Sequence, residues 1–300
     1  ATVADIAPLI GENRTIVRRG LESLQSTDNE GLAALIRVCG MADRQLSCEN
    51  IAYGIVPRIN SAGRFDCVDN AVELFSGGCD EPETLAGDIN SLNEKRRAVE
   101  DQIVRQIMNQ LDAQTEELGR RIIVIHGEGW HHGVVGIVAS RMVERFGKPC
   151  IVFSVEGDVA RGSARSIEGF SIIDAIDACS RLLIRYGGHN QAAGLTVSMA
   201  NLKAFKNAIN DWAASHYPDM PQQTINIDCA ISPRQLTVEE IAPLSMLEPF
   251  GSGNEPPVFT IRSCVLQGIY AIGDGKHVRL RFCGDGCVFY AVYFGMTQAN

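Results

Sequence analysis

Two short stretches hold the side chains best suited to chemistry on an anion. The first, Arg161-Gly162-Ser163-Ala164-Arg165-Ser166, sets two guanidiniums and two hydroxyls around a glycine. Guanidinium forks match phosphate oxygens bidentately, and hydroxyls donate to the same oxygens. The second, Gly187-Gly188-His189-Asn190-Gln191-Ala192-Ala193-Gly194, places an imidazole among small residues. Glycines let the backbone turn tightly or approach a ligand closely, and the imidazole can donate to a phosphate oxygen or act at a scissile bond. Together they predict two anion-binding loops. Arg161, Ser163, Arg165 and Ser166 form a phosphate clamp, Gly187 and Gly188 allow close approach, and His189 is the catalytic donor. The bland alternative is a network that ties two loops of one domain together.

Elements must bring these loops together. From about Thr84 to Leu118, Leu85, Ile89, Leu92, Val99, Ile103, Ile107 and Leu111 recur at helical intervals, with Glu94, Lys95, Arg96 and Arg97 off that stripe. Such a helix spans ~50 Å and is expected to separate two domains and leave a cleft beside it. An alternating pattern follows: strand 121–126, helix 134–146, strand 150–155, helix 172–185, strand 195–197 and helix 202–215. Alternation implies helices packed on a sheet, with both loops at strand–helix junctions, where α/β ligand sites gather. From Thr224 onward, strands at 224–230, 258–261, 265–272, 277–282 and 288–293 suit a small β-barrel. Cys283 and Cys287 enclose Gly-Asp-Gly, a hairpin turn rather than a zinc pair.

The net charge of −9 argues superficially against nucleic acid, but its distribution does not. Residues 119–217 carry 11 basic and 8 acidic side chains and five of the six histidines. Local field matters more to a polyanion than total charge. Lys276, His277, Arg279 and Arg281 add a basic strand, with 277, 279 and 281 on one face. Tyr270, Phe282, Phe289, Tyr290, Tyr293 and Phe294 are candidate stacking platforms. Arg58, Asn60 and Arg64 precede the long helix and are expected to face the cleft; Asn60 either touches a bound nucleic acid or orients neighbouring loops. His131-His132 opens a helix, where an anion site competes with a capping turn. Ten cysteines without a Cys-x-x-Cys pair suggest a reduced, cytoplasmic chain. No run of 18 apolar residues exists, so no membrane partner is expected.

The paired motifs resemble the DHH-associated domain of the DHH phosphoesterase superfamily, and specifically that of RecJ-type exonucleases. Further stretches extend the resemblance, in order: Ala1–Leu9 with Gly11-Glu12-Asn13-Arg14, Pro57–Arg64, Trp130 with Gly133–Arg141, and Leu247-Glu248-Pro249-Phe250-Gly251. The resemblance implies an α/β chain in four parts. Residues 1–75 end a DHH catalytic domain, 76–118 form a long interdomain helix, 119–217 form the DHH-associated substrate-binding domain, and 222–300 form an OB-like single-strand-binding barrel. It also implies 5′-to-3′ hydrolysis of single-stranded DNA with Mn²⁺ or Mg²⁺, and roles in repair and recombination, where other proteins of those processes are possible partners. No Asp-His-His occurs, and the chain starts without methionine. It therefore reads as a piece cut after the metal site and inside the OB fold, with no metal ligands of its own. The rivals are a small DHH phosphoesterase for oligonucleotides or dinucleotides, and a non-catalytic single-strand-binding scaffold.

Overall fold

A computed structural model describes residues 2–296. The chain opens with helices α1 (Gly11–Leu24), α2 (Glu30–Val38), α3 (Val56–Arg64), α4 (Val68–Phe75), the 32-residue α5 (Pro82–Ala113) and one-turn α6 (Glu116–Gly119). Alternation follows through β1 (Ile123–Glu128), α7 (His132–Phe146), β2 (Cys150–Glu156), β3 (Val159–Arg165), α8 (Ile172–Ala178), β4 (Leu183–His189), β5 (Ala192–Ser198) and α9 (Met199–His216). The rest contains β6 (Cys229–Ala230), α10 (Val238–Ile241), β7 (Phe259–Thr260), β8 (Val265–Ile272), β9 (His277–Gly284) and β10 (Cys287–Phe294).

Two compact units result. One comprises Thr27–Gln45 and Ala52–Thr224; the other comprises Ala1–Ser26, Leu46–Ile51 and Ile225–Asn300. The larger unit is built on a five-stranded sheet of order β1-β2-β3-β5-β4. The β1–β2 pair is parallel and the remaining pairs are antiparallel. Helix α7 covers β2 and β3, and α9 packs on β3 and β5. Ile123, Val124, Ile151, Val152 and Phe153 are fully buried between these layers with Val138, Met142, Phe205 and Ile209. Most of β1 and β2 is buried, and both read as near-continuous apolar runs, as covered strands require. Gly147, at φ 61°, ends α7 in the left-handed conformation and returns its N–H to Val143.

Helix α5 is the long helix expected from the periodicity. It packs on α2, α3, α4 and α7 inside the larger unit. Its buried face runs Ala86, Ile89, Asn93, Arg96, Glu100, Ile103, Ile107 and Leu111. Arg96 thus belongs to the stripe from which its charge seemed to exclude it. It donates to Glu100 at 2.6 Å and to Asn93 at 3.1 Å. Arg141 of α7 donates to the same Glu100 at 3.0 Å, and Ser61 of α3 to Asn93 at 3.3 Å. A satisfied polar network of this kind fixes three helices in one arrangement.

The smaller unit holds a three-stranded antiparallel meander, β8-β9-β10, and a two-residue parallel pair, β6 with β7. The sheets form no closed barrel among the described residues, and the strand expected over 224–230 shortens to Cys229–Ala230. The Asp285-Gly286 turn between β9 and β10 has φ 51° and 73°, as a two-residue hairpin needs to match strand twist.

Candidate nucleic-acid interface

Side chains alternate across a strand, so Arg161, Ser163 and Arg165 of β3 share one face. Directly paired antiparallel residues also share a face. The register therefore lays out three rows across β3, β5 and β4: Arg165–Ala192–His189, Ser163–Gly194–Gly187, and Arg161–Thr196–Arg185. The two motifs form neighbouring parts of one sheet, not the two loops that glycine content suggested. The helix expected over 172–185 ends at Ala178, and Leu183–His189 is the edge strand.

This arrangement makes a tray. Its floor is Gly187 and Gly194, both exposed. Helix α7 walls one side, closest at Gly136. A Cβ there would stand 3.0 Å from Ser163 Oγ and 3.1 Å from Arg165 Nη2. The sheet's other face is packed: a Cβ on Gly162 would run into the Phe153 ring, and Tyr186 donates to Asp177 of α8. Gly188 lies in a tight place too, since a Cβ there would meet the backbone of Ala192 and Ala193.

Arg165 donates through Nη1 to Ser163 Oγ at 3.1 Å and to its neighbour's carbonyl at 2.8 Å. Its side chain thus turns along the strand toward the middle row. Burial holds its guanidinium below the usual range. Arg64, at the end of α3, is lowered by burial first and then by the charges of Arg96 and Arg165, with Glu100 opposing. Arg64 donates to the Gly133 carbonyl at 2.6 Å. Among the described residues, neither Arg64 nor Arg165 has an ion-pair partner. Guanidiniums do not deprotonate in proteins, so this is a partly desolvated positive centre.

His189 is exposed, and its Nδ1 accepts from the Gln191 N–H at 3.3 Å. The neutral ring therefore carries its proton on Nε2, free to donate outward. Ser166 lies just past β3 and donates to the Phe170 carbonyl at 2.8 Å. Arg58 donates to Asn90 at 2.8 Å and to the Gly54 carbonyl at 2.6 Å, while Asn60 is exposed. His131 is the N-cap of α7 and accepts from Gly133 N–H, which is the capping role. Sequence reasoning missed Arg185 and Gly136. The two-residue spacing from Arg185 to Gly187 was the available signal.

In the smaller unit, β9 sets His277, Arg279 and Arg281 on one face. Arg279 pairs across the sheet with Tyr270, and Arg281 with Tyr290. The Arg279 guanidinium lies 5.7 Å from the Tyr270 ring centre and 5.3 Å from that of Tyr290. Both tyrosines are exposed. The opposite face carries buried Val278 and the stacked pair Phe282–Phe289, which separates packing aromatics from available ones. Lys276 sits in the turn before β9 and is exposed.

Residues 115–215 match the profile of the DHHA1 domain, and residues 227–300 match that of the RecJ OB domain. The DHHA1 match together with the fold marks a chain of the DHH family. The chain belongs to the RecJ family within it. The Bacillus subtilis single-stranded-DNA-specific exonuclease RecJ is 35% identical over 304 residues, covering 99% of this chain and 38% of that protein. The Escherichia coli protein of the same name is 31% identical, covering 99% and 53%. A crystal structure of RecJ with Mn²⁺ from Thermus thermophilus matches with a TM-score of 0.82 at 30% identity, over 97% of this chain and 42% of that one. A second RecJ structure from that organism holds Mg²⁺, so divalent metal belongs to the family. Among the described residues, no group of three or more His, Cys, Asp or Glu could hold a metal ion, and no helix is long and apolar enough to cross a membrane.

Proposed function

We propose that this chain supplies phosphate and strand binding to a metal-dependent exonuclease that degrades single-stranded DNA from 5′ to 3′. The observation that carries the reading is the half-buried pair Arg64 and Arg165, without a carboxylate partner among the described residues, beside a glycine floor. Holding two desolvated cations together costs free energy, and a bound phosphate offsets it. Arg165 and Ser163 bind and orient the phosphate. His189 donates from Nε2 to a non-bridging oxygen of the scissile group as charge develops there. Gly187 and Gly194 let the strand lie against the backbone. Asn60, one turn before Arg64, and Arg58 extend the path along α3. On the smaller unit, Lys276, Arg279 and Arg281 neutralise phosphates while Tyr270 and Tyr290 stack bases. When bound to the complete protein, Mn²⁺ or Mg²⁺ would activate water for the hydrolysis.

In that protein, 1–75 end a DHH domain, 76–118 form the interdomain helix, 119–217 the DHH-associated domain and 222–300 the OB-like domain. Ten free thiols favour a reducing compartment, the cytoplasm. Roles in DNA repair and recombination follow from the same reading. The complete protein, given Mn²⁺ and end-labelled DNA, is expected to release mononucleotides from the 5′ end of single strands and to spare duplex. Equal action on duplex, or action confined to dinucleotides, would reject this reading and favour a small phosphoesterase.

A further inference from the structure

We propose that Arg161 and Arg185 form a second phosphate site, for the internucleotide phosphate next to the one at Arg165 and Ser163. The proposal rests on reading the tray as a phosphate site. Arg161 and Arg185 lie in the row two residues beyond Ser163 and Gly187, with Thr196 between them. Two residues of strand rise about 6.8 Å, comparable with the step between phosphates in an extended single strand. Arg161 and Arg185 are two strand spacings apart, roughly 9.6 Å, so their side chains can converge over the small Thr196 from opposite sides.

Their present partners leave them available. Arg185 is exposed, and its Nε donates to Thr196 Oγ1 at 3.2 Å. That bond holds the stem against the sheet and leaves both terminal nitrogens for a ligand. Among the described residues Arg185 has no carboxylate partner. Arg161 meets Glu156 at 3.9 Å, with both side chains about half exposed. A pair at that distance in water contributes little and yields readily to a better anion. Between the two sites the floor is the exposed Gly187 and Gly194, which carry no side chain, and Thr196, which is buried, so a strand leaving Ser163 meets the two arginines at that end. A free carboxylate would fit either arginine alone. Two cationic sites one nucleotide apart on one face of the sheet fit a phosphodiester chain.

The test uses the complete protein, held without divalent metal so that nothing is cut, and single strands carrying one neutral methylphosphonate linkage at successive positions. The terminal phosphate is tested by omitting it. Wild type should lose roughly tenfold in affinity at each contacted phosphate, the scale of a charge-assisted hydrogen bond. In Arg185→Ala, and independently in Arg161→Ala, one of those sensitivities should vanish. It should lie one linkage from the position silenced by Arg165→Ala. If Arg165→Ala silences a position and neither other variant does, the second site is wrong and the tray reading stands. If all three silence the same linkage, one phosphate is shared and the proposal is overturned. If none silences any position, both the proposal and the tray reading fail.

Discussion

Arg165 does two things that a surface arginine does not. Its guanidinium is drawn along the strand to Ser163, and it shares a positive centre with Arg64. Arg165→Ala in the complete protein should therefore reduce turnover by about ten- to hundredfold, from a charge-assisted bond of ~1.5–3 kcal/mol, with a nearly unchanged melting temperature. Arg165→Lys should rescue little, because an ammonium lacks the planar fork. Unchanged kinetics with lower stability would make the arginine structural. A second residue reports on folding alone. His126 of β1 lies below the usual 6.5, through burial first and then Lys206, with Glu117 opposing. The unfolded chain then takes up this proton before the folded one does. Its contribution is full above the usual value and is lost as pH falls through the folded value. Urea midpoints at about pH 7.5 and 5.5, on either side of the ordinary imidazole value, should differ less in His126→Gln than in wild type; an equal difference would assign the pH effect elsewhere. The residue types of the clamp were legible in sequence because guanidinium and hydroxyl chemistry is local. Arg185 was not, because its role depends on cross-strand neighbours distant in the chain.

At the scale of elements, the tray exists because α7 can approach β3 at Gly136. Gly136→Ala would put a methyl 3.0–3.1 Å from Ser163 Oγ and Arg165 Nη2, both ends of side chains that can shift. The helix should therefore stay folded while phosphate affinity falls several-fold, measured by strand binding beside a thermal melt. Gly188→Ala meets the backbone of Ala192 and Ala193. It should instead destabilise the β4–β5 hairpin, by about 1–3 kcal/mol or more. If both variants behaved alike, the glycines would share one role. The long helix was readable from its period, yet Arg96 was placed off its face. Charge marks a residue as exposed unless its partners are known, and Glu100 and Asn93 count as partners only once the helix is drawn. The edge strand β4 hid for a related reason. Its glycines signal a turn, and the exposed β4 lacks the unbroken apolar run that revealed β1 and β2. Similarly, all five strands expected after Thr224 form, but the first two shorten to a two-residue pair, because strand propensity does not determine pairing partners.

The whole chain is acidic, and on the proposed reading a polyanion meets basic side chains on two surfaces, the tray and the β9 face, each belonging to a different unit. Phosphate contacts release counterions, so affinity for a single strand should fall linearly with salt on logarithmic axes, by about 0.7 per phosphate neutralised. Replacing Lys276, Arg279 and Arg281 together by alanine should flatten that slope by about 2 for a long strand. All three are surface positions, with Arg281 partly covered, so a thermal melt should show the fold retained. The same variant should bind a strand of a few nucleotides nearly as wild type does, because the tray engages that length without the β9 face. Arg165→Ala should give the reverse pattern, weakening short strands at least as much as long ones. The comparison separates two surfaces that contribute in series from one surface that does everything. Equal slopes for long strands in wild type and the triple variant would leave the β9 face as a structural brace. Its tyrosines would then be packing surface for another protein rather than platforms for bases.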